Sequence, residues 1–441
     1  MKEERGAWQQ LAASDDPRLK VSPLTGVNAY GIAYQPRVGV EEWGSGTATE
    51  CRAADLSVAE RGYQLWCEHS TEWTHQCLKE GLWQALDLER ESHDMALYPS
   101  GTAALVAGVD DWDCSVEAVV MCHPDETGSR VLEGWRQRWG GREVRLDPIP
   151  VRGEDGKPRA PDALAQDYRA CVENHVSRGD HVVLVMTDVT KSGHVAPDEA
   201  CALACHRDYP DHVRVLVDGC QARLSALRIR RYLAHGWRVA LTGSKFMGGP
   251  PFSGLLLAPR VGCGQMPEAW TEQNRLSTGA FLRWWVALEA MQTWRACDKS
   301  FLPDLLTDFR ERLVAASAGW SGMWMEPVGM LGRPAVGDDW DNQPTLFPFL
   351  LVDPKRPERW LDREALQSLF LDLPVVGRRI RGRWGQPVHL GAGRWGLRIC
   401  LGARQLMPWL QSPRSQQALS DSLGVCLALL DETLWLAGRV G

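Results

Sequence analysis

Residues 213–254 read VRVLVDGCQARLSALRIRRYLAHGWRVALTGSKFMGGPPFSG, and this stretch decides the fold. An apolar, β-branched run, Val213–Val217, ends in Asp218, with Gln221 three residues later. A helical stretch follows. A second run, Arg238–Leu241, then ends in Thr242-Gly243-Ser244-Lys245, and a Gly/Pro turn leads to a third, Gly254–Leu257. Strands alternating with helices in this way imply a mainly parallel sheet. A carboxylate straight after a buried strand is costly unless a cation meets it, although Asp also serves as an ordinary turn residue. A lysine that follows two hydroxyl residues at a strand end can shed its proton in a pocket and act as an amine nucleophile, although most such lysines are simply solvated.

Working outward, the same alternation extends upstream. Ala118–Cys122, Glu143–Leu146 and His181–Met186 read as further strands. Residues 1–50 are rich in Gly, Pro, Ser and Thr and read as an extended arm; residues 58–88 look helical. A long helix over Gly279–Cys297 leads to a C-terminal region where Leu346–Leu351, Val388–Leu390 and Leu397–Cys400 form a small sheet, with a loop-like stretch, Gly332–Pro344, ahead of it. The expected organisation is an arm (1–57), a large α/β domain with helices on both faces of its sheet (58–290) and a smaller C-terminal α/β domain (291–441).

Composition narrows the function classes. The chain has 441 residues, too many for one small core. Its 44% hydrophobic and 24% charged content is ordinary for a globular protein. A net charge of -7 offers no broad basic surface for nucleic acid. No run approaches the length of a membrane helix, and the N-terminus lacks a signal-type apolar stretch. The 13 scattered cysteines do not look like a disulfide framework, and a cytoplasmic home is expected.

A third signal lies at Tyr98-Pro99-Ser100-Gly101-Thr102-Ala103-Ala104, which opens into an apolar helix. Two hydroxyls and free backbone N–H groups at a helix N-terminus favour a phosphate, although Ser and Thr are also the usual N-caps. Taken together, Ser100-Gly101-Thr102, Asp218-x-x-Gln221 and Thr242-Gly243-Ser244-Lys245 resemble the fold type I pyridoxal-phosphate enzymes of the aspartate aminotransferase superfamily, most closely the class V aminotransferase and cysteine desulfurase branch. The 27 residues from Asp218 to Lys245 suit one intervening helix and strand, and the resemblance covers roughly residues 90–260. Ser244 stands where that branch commonly has His.

The resemblance implies a seven-stranded large-domain sheet, a homodimer and pyridoxal 5'-phosphate as cofactor. Lys245 would carry the cofactor as a Schiff base and shuttle the proton at the substrate α-carbon. Asp218 would keep the pyridine nitrogen protonated. Gln221 and Thr190 would lie near the ring's phenolic oxygen, and Ser100, Gly101, Thr102, Thr242 and Ser244 would hold the phosphate. Relatives place a stacking ring after the strand Ala118–Cys122, where this chain has His123-Pro124-Asp125-Glu126-Thr127-Gly128. Glu126 falls in that slot as a candidate acid/base group or an ordinary helix-start residue, and a one-residue bulge would bring in Thr127 instead. Arg398 in Gly396-Leu397-Arg398-Ile399-Cys400 matches the arginine that clamps a substrate carboxylate; Arg404 and Arg378–Arg383 are its rivals. The Ser45–Glu50 stretch would reach a partner subunit.

No metal site is expected. Cys67/His69, His75/Cys77 and the Cys201, Cys205, His206 group lie on predicted helices in poor ligand geometry. Cys263 and Cys400 do not match a desulfurase cysteine. The expected activity is aminotransferase-like chemistry on an amino acid. A lyase, a decarboxylase or a carbon–carbon bond-forming enzyme is the alternative, and a catalytically idle cofactor-binding module is a third, since this fold hosts many reactions.

Overall fold

The computed structural model describes residues 6–13, 16–44, 49–109, 112, 116–128, 130–139, 144–260 and 276–440. Fourteen strands are described: β1 (Val40–Trp43), β2 (His93–Tyr98), β3 (Ala118–Cys122), β4 (Arg145–Ile149), β5 (Val182–Asp188), β6 (Val195–Ala196), β7 (Val213–Gly219), β8 (Arg238–Thr242), β9 (Gly254–Pro259), β10 (Met323–Met325), β11 (Leu346–Asp353), β12 (Arg356–Trp360), β13 (Arg381–His389) and β14 (Trp395–Cys400).

The large sheet has the order β2-β9-β8-β7-β5-β3-β4, with the two-residue β6 beside β5. Strands β8, β7, β5, β3 and β4 run parallel, whereas β9 is antiparallel to both its neighbours. The seven-stranded, mainly parallel α/β expectation therefore holds. All of β3, β5 and β8 is buried, and of β7 only Arg214 is not. Sheets covered on both faces select such continuous apolar runs over alternating ones. Strand β3 keeps its expected bounds, whereas β5, β7 and β8 each run a residue or more past their expected ends, so Asp218 belongs to β7 and Thr242 to β8.

The second sheet has the order β1-β13-β14-β11-β10, with β12 on β11. Its β1 comes from the N-terminal region and pairs in parallel with β13, from Val40↔Arg381 to Trp43↔Trp384. Residues 58–88 form two helices, Ala53–Glu68 and Thr71–Leu86. Ser70 divides them, because its side chain accepts from Trp73 N at 3.2 Å and starts a new helix. The Thr278–Ala296 helix lies against both and is buried on several faces, with Phe281, Leu282, Trp284, Ala287 and Met291 in the core. No described helix is long and apolar enough to cross a membrane.

Buried arginines tie the second sheet to the first. Arg228 pairs with Asp341 at 2.9 Å, and Arg333 reaches Asp188 at the end of β5. Arg223 donates to Thr345 Oγ1 at 2.7 Å and to the Leu401 carbonyl. Bidentate or multiply bonded guanidinium groups suit such buried positions, since the planar fork loses less freedom per bond formed. Together these contacts seat the Arg398-bearing strand β14 above the carboxyl ends of β5, β7 and β8.

Candidate active site

At those carboxyl ends lies a cavity of about 510 Å³. Open α/β sheets place their ligands there because helix N-termini and loop donors converge on that side. Ser100, Gly101, Thr102, Asp218, Gln221, Thr242, Ser244, Lys245 and Arg398 all line it. Residues from four segments far apart in sequence thus meet around one space.

The Ser100–Thr102 turn is held by its own cap. Ser100 Oγ accepts from Ala103 N at 3.2 Å, which leaves its hydroxyl proton free to donate into the cavity. Two glycines are sterically required nearby. A Cβ on Gly101 would lie 2.6 Å from Thr242 Cγ2 and 2.8 Å from Cys220 Sγ, and one on Gly254 would lie 2.0 Å from the Ser100 carbonyl oxygen. The turn and strand β9 therefore meet backbone to backbone, and only glycine permits it. Thr242 differs from its expected role: its hydroxyl donates to the Cys220 carbonyl at 2.7 Å, so its one proton is already engaged.

Asp218 is 5% exposed. One carboxylate oxygen accepts from Cys220 N at 3.1 Å and the other from Thr127 Oγ1 at 2.8 Å. Among the described residues no Lys or Arg forms an ion pair with it. Gln221 Oε1 is buried with no hydrogen-bond partner among the described residues. Lys245, half-buried on the same cavity, has its ammonium in no described hydrogen bond or ion pair. An uncompensated carboxylate, an orphaned amide oxygen and an unengaged amine around one cavity mark a site built for a polar ligand.

Arg398 is buried and held by backbone carbonyls: Nε donates to Gln386 O at 3.3 Å and Nη1 to Lys191 O at 3.0 Å. No carboxylate pairs with it among the described residues, so its charge remains available to a ligand. Its rivals are committed elsewhere. Arg404 binds Asp55 at 2.7 Å and Arg383 binds Glu50 at 2.8 Å.

Glu126 and Thr190 do not line the cavity. The Glu126 carboxylate pairs with Arg152 at 3.0 Å and accepts from Ser192 Oγ at 2.6 and 2.7 Å and from Ser192 N at 3.1 Å. Burial works to raise its pKa, but Arg152, His194 and the Ser192 hydroxyl outweigh it and hold the group below its ordinary value. The expected acid/base role for Glu126 gives way to a buried structural ion pair. It is not a helix-start residue either, since the next helix begins at Val131. Thr127 instead reaches the site, through Asp218. Thr190 accepts from His194 N at 3.1 Å and braces the loop beyond β5. Ser45–Glu50 lies partly outside the described residues, and Cys263 wholly so.

Lys191 lines the cavity and was not singled out in the sequence, although it follows the end of β5 as Lys245 follows β8. Its ammonium donates to the Pro124 carbonyl at 3.1 Å. Burial above all, and then the nearby Arg398, lower its pKa to about 8.

Comparison with known proteins supports the architecture. No family model and no curated protein matches the sequence. Solved structures do match. A cystine C-S lyase bound to cysteine persulfide is 16% identical, with 86% of this chain and 94% of that one covered at a TM-score of 0.56. A NifS-like protein from Rickettsia africae is 11% identical, with 89% and 99% covered at 0.54. An SPT solved with PLP is 11% identical, with 88% and 87% covered at 0.52. The chain thus has the fold type I architecture of the pyridoxal-phosphate enzymes.

The lowered Lys191 pKa gives a signed prediction. The amine is cationic below about pH 8 and neutral above it. In cofactor-free protein, affinity for a dicarboxylate fully ionised above pH 7 should fall by roughly an order of magnitude as pH rises through that point. Titration calorimetry from pH 7 to 9 checks this, and Lys191→Met should flatten the profile.

Proposed function

We propose that this protein binds pyridoxal 5'-phosphate and acts on an amino acid by aminotransferase-like chemistry. The observation that carries the reading is Asp218: a buried carboxylate that meets no cation among the described residues, facing the same cavity as Lys245, whose amine is in no described hydrogen bond or ion pair. The residues fit the cofactor. The Lys245 amine would hold it covalently and then move the proton at the substrate α-carbon. Asp218, oriented by Thr127 and Cys220 N, would retain the proton on the ring nitrogen. Ser100, Thr102 and the N–H groups opening the Gly101–Ala107 helix would receive the phosphate, and Ser244 would join them. The orphaned Gln221 oxygen would gain a partner at the ring. When bound, the cofactor supplies an electron sink for the pair released at the α-carbon.

Arg398 would orient the substrate. A carboxylate fixed at one end sets which α-carbon bond stands perpendicular to the ring, so binding energy becomes positional. Glu126 takes no part in this account. A lyase or carbon–carbon bond-forming reading uses the same residues and is separated by product analysis; the C-S lyase among the structural neighbours favours testing it. A homodimer and a cytoplasmic location complete the proposal. The eleven described cysteines, all free, support a reducing compartment.

The test is direct. Protein reconstituted with the cofactor should be yellow, and borohydride should fix the cofactor mass on the peptide containing Lys245. Lys245→Ala should bind cofactor without turnover. A colourless reconstituted wild type, or label on another lysine, rejects the reading. The substrate class is tested at Arg398. Arg398→Lys should weaken an α-amino acid by about 1.5–3 kcal/mol, the scale of a charge-assisted pair, and spare the corresponding decarboxylated amine. Equal effects on both ligands would move the carboxylate contact elsewhere.

A further inference from the structure

Three ligand atoms of different kinds converge at the edge of the large sheet, away from the cavity. Cys171 and His175 stand one turn apart on the helix Pro161–Val176, and Asp147 projects from β4, the terminal strand of the sheet. The thiol, imidazole and carboxylate ligand atoms all lie within 4.8 Å of one another, the sole such group of three His, Cys, Asp or Glu among the described residues. None of the three lines the active-site cavity.

The distances suit a metal. Tetrahedral zinc with bonds of about 2.0–2.3 Å holds its ligand atoms roughly 3.3–3.6 Å apart. His175 Nε2 and Asp147 Oδ2 are 2.8 Å apart, so they need only part slightly while the thiol closes in. The other imidazole nitrogen, Nδ1, meets Asp180 at 2.9 Å, and Arg145 holds that carboxylate in turn. A carboxylate behind the ligating histidine is the usual device for fixing ring orientation in metal sites.

The plainer alternative is an imidazole bridging two carboxylates. It accounts for His175, Asp147 and Asp180, but it gives Cys171 nothing to do. The Cys171 thiol has no described hydrogen bond, yet it points into the same cluster. The Asp147 side chain is 41% exposed, which leaves an approach for solvent and a fourth ligand.

We infer that Asp147, Cys171 and His175 bind one divalent cation of the zinc class, with water as the fourth ligand. The mixed sulfur, nitrogen and oxygen donor set selects such an ion over calcium or magnesium. On binding, the Cys171 thiol proton and the proton shared between His175 Nε2 and Asp147 both pass to solvent as the metal–sulfur, metal–nitrogen and metal–oxygen bonds form. The ion would clip strand β4, which among the described strands pairs with β3 alone, to the helix that packs on it.

The experiment uses full-length protein stripped with a chelator and titrated with Co²⁺ and then Zn²⁺. One equivalent of Co²⁺ should give the visible bands of a tetrahedral site, and Zn²⁺ should abolish them. Cys171→Ser and His175→Gln should each remove those bands, whereas Cys201→Ser should keep them. Asp180→Asn should weaken the metal by about 10–100-fold. Zinc should raise the thermal midpoint of the wild type and leave that of Cys171→Ser unchanged. Absence of the bands in the wild type overturns the site without recourse to any variant. Bands that survive both ligand substitutions overturn it too, and would assign the metal to other residues.

Discussion

Asp218 sits at the end of β7 with its carboxylate buried, bonded to Thr127 and Cys220 N and met by no described cation. Even after relaxation, removing a charge from water costs several kcal/mol, and two neutral hydrogen bonds offset only part of that. A protein retains such a group where a ligand completes it. Much of the site is arranged around this one carboxylate. Parallel strands β5, β7 and β8 set Asp218 opposite Thr187 and Ala240, a few residues before Lys191 and Lys245, and the Ser100–Thr102 turn closes against Cys220, Thr242 and β9 through Gly101 and Gly254.

The second sheet matters because it delivers the opposite wall. Arg398 is useful to a ligand only if β14 keeps a fixed place above the large sheet. Hydrophobic packing alone sets that place loosely, whereas directional bonds from Arg223, Arg228 and Arg333 set it to a definite register. The cavity is consequently rich in positive charge: Lys191, Lys245 and Arg398 line it, and Asp218 is its one acidic lining residue among those described. That balance suits a ligand bearing phosphate and carboxylate groups together with one protonated ring nitrogen.

Much of this was legible in the sequence, and the reason is local. Strands buried on both faces write continuous apolar runs, and a functional residue at such a strand's end follows the run directly, as Asp218 and Lys245 do. Strand β2 is hard to read from sequence because HDMALY opens with two polar residues and leads straight into the Ser100–Thr102 turn. Glu126 was misread because its partners are distant in sequence: Arg152 lies 26 residues on and Ser192 lies 66 on. Pairing of β1 with β13 across the whole chain is likewise invisible to local pattern. Lys191 was legible by the strand-end rule that found Lys245. The resemblance assigns a role to its neighbour Thr190 and none to Lys191.

The central claim is that the Asp218 carboxylate exists to hold a proton on a ring nitrogen. Nitrogen-15 NMR of protein reconstituted with ring-labelled pyridoxal 5'-phosphate measures that proton directly. The account predicts a protonated pyridine nitrogen in the wild type across neutral pH and a deprotonated one in Asp218→Asn, with cofactor still bound. A nitrogen that is unprotonated in the wild type, or that stays protonated in Asp218→Asn, would contradict it.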